Sequence, residues 1–568
     1  MRYLKSILEA LKLSYRSAPV FTILQVILTI LMTVFPYLSL SVTANLLNRL
    51  TNFSNLKISE IGTCLIVISC SNVIMDFMNN VLSCVQYCRY EKTACEINNH
   101  IIQKATTVKI EVFDNPQYLD ALNAFINNSS SINAVIENTL SLFSGMISLI
   151  CALVLFRGGY FFQACLIMLA TIPSFCVERK IAKKQNEIKL ENLKKDRQRN
   201  YFFNISSDKR YAYDIRLHGM SKYLSDKYKK LWEECFLKLK QNKQHQYKAL
   251  TVVRIIPEIF SIFFMAQIVN DVVLRKIEIG SVVLYIGLVG SLIQITLLVM
   301  GNISYIYEDA LKLSTLKWID SYSSENSEAE NLMCLEDVDS IVFQNVYFKY
   351  TPIDPYIIQN LSFSISKGDF VCLWGKNGSG KSTVFKLLLR YYDATEGEIL
   401  INSIDIKQYS VESIRKVFNQ AFQSNIVYAF SLKENFYTAD FSKGYVLDDE
   451  ILKLFQLVSG GEILDKMDNG VNGKIYKIFD PNGYEPSGGE YQKIALARTL
   501  YRNSSVILLD EVTAAFDKES EEEFFRGIKE MASNKIVIFT SHNSKIARTA
   551  SKLIHLKTPS HFDIAPNI

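Results

Sequence analysis

Before Leu311 the chain carries six long apolar stretches, falling roughly at 19–47, 59–85, 131–156, 158–178, 251–273 and 278–305. Each is near the ~20 residues that a helix needs to cross a hydrocarbon core. A bilayer offers no water to backbone N–H and C=O groups, so stretches of this kind cross it as α-helices. The third and fourth meet at Gly158-Gly159. Hydrophobic residues make up 49% of 568 positions, and they concentrate in this first half. Such a length allows several domains. The first stretch does not read as a cleaved signal: it is too long, and it lacks a small-residue cleavage site.

Basic residues orient the spans. Arg2, Lys5, Lys12 and Arg16 precede the first; Arg89, Lys92, Lys104 and Lys109 follow the second; a basic tract from Arg179 to Lys243 follows the fourth. The other connections are short and carry few charges. Lysine and arginine favour the cytoplasmic side, so both termini and both long loops are expected inside. The net charge of +5 is therefore read as topology, not as nucleic-acid binding. Acidic and apolar residues interrupt the basic tract too regularly for a disordered arm.

The second half opens with different chemistry. Leu373-Trp374-Gly375-Lys376-Asn377-Gly378-Ser379-Gly380-Lys381-Ser382-Thr383 has the P-loop form G-x-x-x-x-G-K-[ST] between a strand and a helix. Gly375, Asn377, Gly378, Ser379, Gly380, Lys381, Ser382 and Thr383 are thus candidate ATP-binding positions. Glycines let backbone N–H groups close around phosphate oxygens, and the helix start adds partial positive charge. Lys381 can reach the β- and γ-phosphates, and the Ser382 hydroxyl can ligate Mg²⁺. Further on, Val506-Ile507-Leu508-Leu509 is an apolar run that ends in Asp510-Glu511, the pattern of a buried parallel strand. Asp510 would hold Mg²⁺ through water, and Glu511 would polarise the attacking water.

Between these motifs, Ser487-Gly488-Gly489-Glu490 precedes Tyr491-Gln492-Lys493-Ile494. Here the chain resembles the ATP-binding cassette family, whose signature is Leu-Ser-Gly-Gly-Gln before a helix. The resemblance implies roles at matching positions. Tyr350 is similar to the aromatic that stacks on adenine, Gln423 to the Q-loop glutamine that senses γ-phosphate and metal (Gln420 is the rival), and His542 to the switch histidine. Ala514-Ala515-Phe516-Asp517 lies where the D-loop belongs. Two departures stand out. Pro486 and Glu490 replace Leu and Gln, although the Ser-Gly-Gly core that meets phosphate is whole. After Lys552-Leu553-Ile554-His555-Leu556 the chain is expected to end in a short, loop-like tail.

Glu111 to Tyr118 and Asp214 to Gly219 resemble the family's coupling segments in the two long inner loops. The resemblance thus covers almost the whole chain and implies an exporter-type half-transporter. It would have a polytopic α-helical membrane domain of six transmembrane helices (1–314), a Ser-, Glu- and Asn-rich linker (315–335), and an α/β P-loop ATPase domain (336–568). The expected partners are membrane lipids, cargo and a second half-transporter, a homodimer being favoured over a heterodimer. A bacterial plasma membrane, with the ATPase domain in the cytoplasm, is the expected location. Only a short amphipathic segment precedes the first span, so no leader-trimming protease domain is expected.

The 11 cysteines show no paired ligand spacing, so structural zinc is not expected. Cys84 and Cys88 read as small buried hydrophobes. Asp76, Asn79 and Asn80 make the second span polar, and Arg254 and Glu258 are placed to pair at i,i+4 or to touch cargo. Two function classes remain open: an ATP-driven transporter, and a cassette ATPase or gated channel whose spans serve as anchor or pore. Six spans, two coupling-type segments and Glu511 favour the first. Export of a peptide or amphipathic cargo is the expected direction, with import the alternative.

Overall fold

A computed structural model of the chain describes every residue except Met1, 52–57, 128–129, 157–159, 326–331, 423–425, 514–515, 559–560 and 567–568. The Gly158-Gly159 junction therefore lies outside the described residues. The chain divides into two compact units, Met1–Ala105 with Gln117–Tyr322, and Thr106–Pro116 with Ser323–Ile568.

The first unit is helical. It contains α1 (Arg2–Ser17), α2 (Pro19–Thr51), α3 (Ile58–Thr107), α4 (Pro116–Asn127), α5 (Ser130–Leu155), α6 (Phe161–Ala170), α7 (Ile172–Ser207), α8 (Lys209–Leu217), α9 (Ser221–Val273) and α10 (Ile279–Asp320). Among the described residues, six segments are long and apolar enough to cross a bilayer: Pro19–Leu50, Leu65–Thr107, Asn133–Leu155, Phe161–Gln185, Ser221–Val273 and Ile279–Ile303. The fourth crosses as two helices joined at Thr171. Pro173 lacks an N–H and starts α7 rather than continuing α6. At 53 residues α9 is ~80 Å long, far more than a ~30 Å hydrocarbon core requires. The basic tract thus prolongs the membrane helices instead of forming loops. Lys195–Glu234 and Lys238–Glu191 pairs join α7 to α9 along it. α10 likewise continues into the segment expected as linker.

Two charges sit differently from expectation. Arg254 pairs with Glu178 across α7 and α9 at 2.9 Å, not with Glu258, so the interhelical partner prevails over the i,i+4 one. Arg89, counted above among the inner basic residues, is only 1% exposed. Its guanidinium donates to Gln25, Ser14, Asn133 and Glu137, which come from α1, α2 and α5. Fork-shaped donors need such convergent acceptors when buried, and removing one partner of a buried pair costs about 3–5 kcal/mol.

The second unit is α/β. Its first sheet holds β1 (Ser340–Phe348), β2 (Ile358–Ser366), β4 (Glu396–Ile401) and β5 (Ile404–Asp405), in the order β2-β1-β4-β5. The second sheet holds β3 (Phe370–Gly375), β6 (Phe418–Ala421), β7 (Val506–Asp510), β8 (Ile536–Thr540), β9 (Lys552–Thr558) and β10 (His561–Pro566), in the order β10-β9-β3-β8-β7-β6. The helices of this unit are α11 (Lys381–Leu388), α12 (Val411–Val417), α13 (Leu432–Tyr437), α14 (Asp448–Leu457), α15 (Gly461–Asp465), α16 (Gly488–Tyr501), α17 (Lys518–Met531) and α18 (Ser544–Ala547). β3, β8 and β7 are adjacent and parallel, and β7 and β8 are buried along their whole lengths. Their carboxyl ends therefore open at one edge, where α/β sheets bind ligands. The expected loop-like tail is instead a strand: β10 pairs antiparallel with β9, closing the sheet edge that β9 would otherwise leave open.

Candidate nucleotide site

The turn after β3 is shaped by close approach and by unusual dihedrals. A Cβ on Gly375 would lie 2.5 Å from the Leu556 carbonyl, so only glycine fits there. Gly380 caps α11 with φ +94°, a conformation that other residues adopt only under strain. Lys381 is 7% exposed, and its ammonium donates to the Gly375 and Lys376 carbonyls at 2.9 and 3.2 Å. The Ser379 hydroxyl is buried with no hydrogen-bond partner among the described residues. A cavity of about 440 Å³ opens over this turn, lined by Asn377, Gly378, Gly380, Lys381, Ser382, Thr383, Ile357 and Glu511. Convergent donors, a buried orphan hydroxyl and a concave wall suit a polyphosphate.

The other two strand ends complete the wall. Glu511 follows β7 with φ +50°, a left-handed backbone that glutamate rarely adopts. Its carboxylate lies 3.9 Å from the Lys381 ammonium and 2.9 Å from His542 Nε2. Thr540, at the end of β8, holds the pair of acids in place. Its hydroxyl donates to Asp510 Oδ1 at 2.9 Å and accepts from the Glu511 N–H at 2.8 Å. Glu521 on α17 accepts from both Thr513 and Asn543, joining the segment after Glu511 to the one after His542. Neither Thr540 nor Glu521 belongs to a motif identified from sequence. Thr540 could have been found from its place at the carboxyl end of an apolar strand, just before His542.

Tyr350 lies beyond Thr383, with 3.3 Å between their hydroxyl oxygens. Gln423, Ala514 and Ala515 lie outside the described residues. The rival Gln420 sits in β6 and lines a separate cavity of about 410 Å³ with Phe422, Tyr428 and Arg498. Asp517 caps α17 by accepting from Ser520 and Glu519 N–H groups, which holds its carboxyl below the usual range.

The departures from the signature have a local explanation. Ser487 is the N-cap of α16 and Glu490 its third residue, forming a reciprocal capping box: Ser487 N–H donates to Glu490 Oε2 at 2.8 Å, and Glu490 N–H donates to Ser487 Oγ. Lys466 binds the other Glu490 oxygen at 2.8 Å. That bond and the Ser487 N–H hold the Glu490 carboxyl down at about 2. Pro486 stands outside the helix, so it removes no helical hydrogen bond. Ser487 and Gly488 are exposed, and neither they nor Gly489 line the P-loop cavity of their own cassette.

Residues 358–514 match the family model described as ABC transporter. The chain is 28% identical to Subtilin transport ATP-binding protein SpaT of Bacillus subtilis, over 81% of this chain and 75% of that protein. It is 24% identical to Nisin transport ATP-binding protein NisT of Lactococcus lactis subsp. lactis, over 97% of this chain and 91% of that protein. Its fold is that of a bacterial Atm1-family ABC exporter solved with ATP bound, at TM-score 0.79 and 18% identity, covering 96% of this chain and 95% of that one. A P-loop domain that matches the ABC transporter model follows six bilayer-length helices, so this integral membrane protein is similar along nearly its whole length to ABC transporters and has the fold of an ABC exporter.

Proposed function

We propose that the chain is an ATP-driven exporter that works as a dimer by alternating access. The observation that carries this reading is the convergence of Lys381, Glu511 and His542 at one cavity, in a chain that also has six bilayer-length helices. Lys381 and the P-loop N–H groups bind the phosphates, Tyr350 stacks on adenine, and Thr383 closes the cavity wall between them. Ser382 and Gln423, with Asp510 through water, would hold Mg²⁺, which would neutralise phosphate charge; Asp510 is 5% exposed and already oriented by Thr540. Glu511 takes a proton from the attacking water, and His542 keeps that carboxylate aimed. Ser487, Gly488 and Gly489, with Glu490 building their helix start, cap ATP bound on a second cassette.

Because the Ser-Gly-Gly core is whole and its helix is capped, a homodimer with two working sites is favoured over a heterodimer. The cassette and both termini face the cytoplasm of a bacterial cell. The cargo is a peptide or another amphipathic molecule; the polar second span and the relatives named for subtilin and nisin transport support this class. Purifying the chain expressed alone tests the reading. Two-fold dimers that hydrolyse Mg-ATP, and lose hydrolysis but not nucleotide binding in Glu511→Gln, are expected. A chain active only after adding a second protein would overturn the homodimer, and Glu511→Gln at the parent rate would overturn the assignment of the base.

A further inference from the structure

From Thr383 to Lys386 the P-loop helix carries a chain of contacts that leads away from the hydrolytic residues. Thr383 and Lys386 lie on one face of α11, three residues apart. Tyr350 places its hydroxyl 3.3 Å from Thr383 Oγ1 and accepts from the Lys386 ammonium at 3.1 Å. That ammonium also lies over two rings, 4.9 Å from the centre of Tyr350 and 5.6 Å from that of Tyr392. Tyr350 and Tyr392 meet edge to face at 5.1 Å, and the buried Phe348 packs edge-on against both. The Tyr392 hydroxyl then donates to Asp114 at 2.6 Å. Asp114 ends the short 3-10 turn Ile110–Asp114, which follows α3.

The turn after α11 also receives the chain returning from α10. Arg415 forms a two-pronged pair with Glu325 and stacks over Tyr391 at 4.6 Å. Val108 and Ser324 pair as an isolated bridge, so the segments that follow α3 and α10 run side by side. Both therefore reach the cassette at Tyr391 and Tyr392.

We propose that Lys386 and Tyr392 are positioning residues that make the grip on the first cytoplasmic segment depend on whether a base occupies Tyr350. This rests on the reading of Tyr350 as the adenine-stacking residue. A base packed on Tyr350 fixes that ring, and Phe348 and Lys386, each in contact with both rings, couple Tyr392 to it. Tyr392 then holds Asp114. Burial raises the Tyr392 phenol above its ordinary range, and the Asp114 carboxylate adds to this, so the hydroxyl remains a donor at physiological pH. Asp114 itself is exposed. A hydrogen bond at the surface is readily exchanged for water, so it can be made in one state and broken in the other. Phosphates held by the P-loop meet this chain of contacts at Thr383 alone, whose hydroxyl touches that of Tyr350 rather than its ring.

Hydrogen exchange on the full-length protein in lipid nanodiscs tests this. With Mg²⁺ and a slowly hydrolysed ATP analogue, exchange in 106–116 is expected to slow about fivefold or more, the lower end of usual coupling strengths. Inorganic tripolyphosphate, at concentrations that protect 375–383 equally, is expected to leave 106–116 unchanged. Tyr392→Phe should abolish protection of 106–116 while 375–383 stays protected and analogue affinity stays within about twofold. Asp114→Ala should behave likewise, whereas Asp114→Asn, which keeps an acceptor, should restore protection. Parent-like protection of 106–116 in Tyr392→Phe, or equal protection by tripolyphosphate, overturns the proposal. If Tyr350→Ala binds the analogue as the parent does, the adenine-stacking reading fails separately.

Discussion

The two parts of this domain proposed to meet phosphate are built by opposite means. The P-loop side stores unsatisfied and strained groups: Ser379 has no partner, Lys381 is buried on backbone carbonyls, and Glu511 holds φ +50°. The signature side satisfies itself, with Ser487 and Glu490 capping each other and Lys466 closing the remaining carboxylate oxygen. Strain and orphaned groups persist where a ligand completes them. A surface that must meet a ligand carried elsewhere gains more from being rigid beforehand. Substitutions on the first side should therefore change chemistry, and those on the second should change assembly or helix start.

The largest effect is expected at Glu511. Glu511→Gln preserves shape and the hydrogen bond from His542 but removes the proposed base, so hydrolysis should fall about 10²–10⁴-fold with nucleotide affinity nearly unchanged. Lys381→Ala should instead weaken nucleotide binding, because a charged contact to phosphate is lost. Steady-state hydrolysis and binding of a fluorescent ATP analogue, measured on both variants, separate the two. Equal losses of affinity in both would remove the distinction drawn here within the P-loop side.

Ser487→Ala comes next and sharpens the contrast. Loss of an N-cap costs about 1 kcal/mol of helix stability, a modest change. If Ser487 also caps ATP on a second cassette, hydrolysis should fall far more than that cost explains. Ser487→Thr keeps a capping hydroxyl and should recover much of both. Thermal unfolding beside ATPase rate reads the outcome; parallel recovery and loss of both quantities would leave only the structural role.

Much of this was legible in the sequence, and what was not has a common cause. The P-loop, Asp510-Glu511 and the signature are contiguous runs whose spacing follows from local strand–turn–helix geometry. The six spans announce themselves because the bilayer demands uninterrupted apolar length. The burial of Arg89 is not legible in sequence because its acceptors come from three other helices. Sequence offers Arg254 only Glu258 or cargo, because Glu178 becomes adjacent only once α7 and α9 are packed. The tail carries no strand signal of its own because β10 depends on the edge of β9. Pairings distant in sequence leave little trace in either partner alone.

Thr540 probes the join between β7 and β8. Thr540→Val keeps volume but leaves Asp510 Oδ1 and the Glu511 N–H without their shared partner, in a position only 2% exposed. An unsatisfied buried group costs about 1–3 kcal/mol. Part of that should appear as a fall in kcat, about tenfold, with KM less affected, because the acids are mispositioned while the P-loop is untouched. A variant with unchanged kcat and lowered melting temperature would show that Thr540 serves the sheet alone.

The smallest effect is expected at Glu490, and it tests whether the signature side is as self-contained as its contacts indicate. Glutamine also serves at the third position of a capping box, so Glu490→Gln keeps the bond from the Ser487 N–H. It loses only the pair with Lys466, whose side chain is 52% exposed, and such pairs contribute ~0.2–1 kcal/mol. Hydrolysis should stay within about twofold of the parent. The pH dependence has a definite sign. The Glu490 carboxyl is lowered from 4.5 to about 2 in the folded chain, so the folded state favours its charged form. That stabilisation is present in full above the unfolded value and is lost as pH falls from about 4.5 towards 2. Between pH 5 and 8 the first turn of α16 should show the same hydrogen-exchange protection at every pH, once intrinsic rates are corrected. Protection that changes within that interval would mean that Glu490 is not held by Lys466 and Ser487 as described, and that the signature helix is not complete before it meets a second cassette.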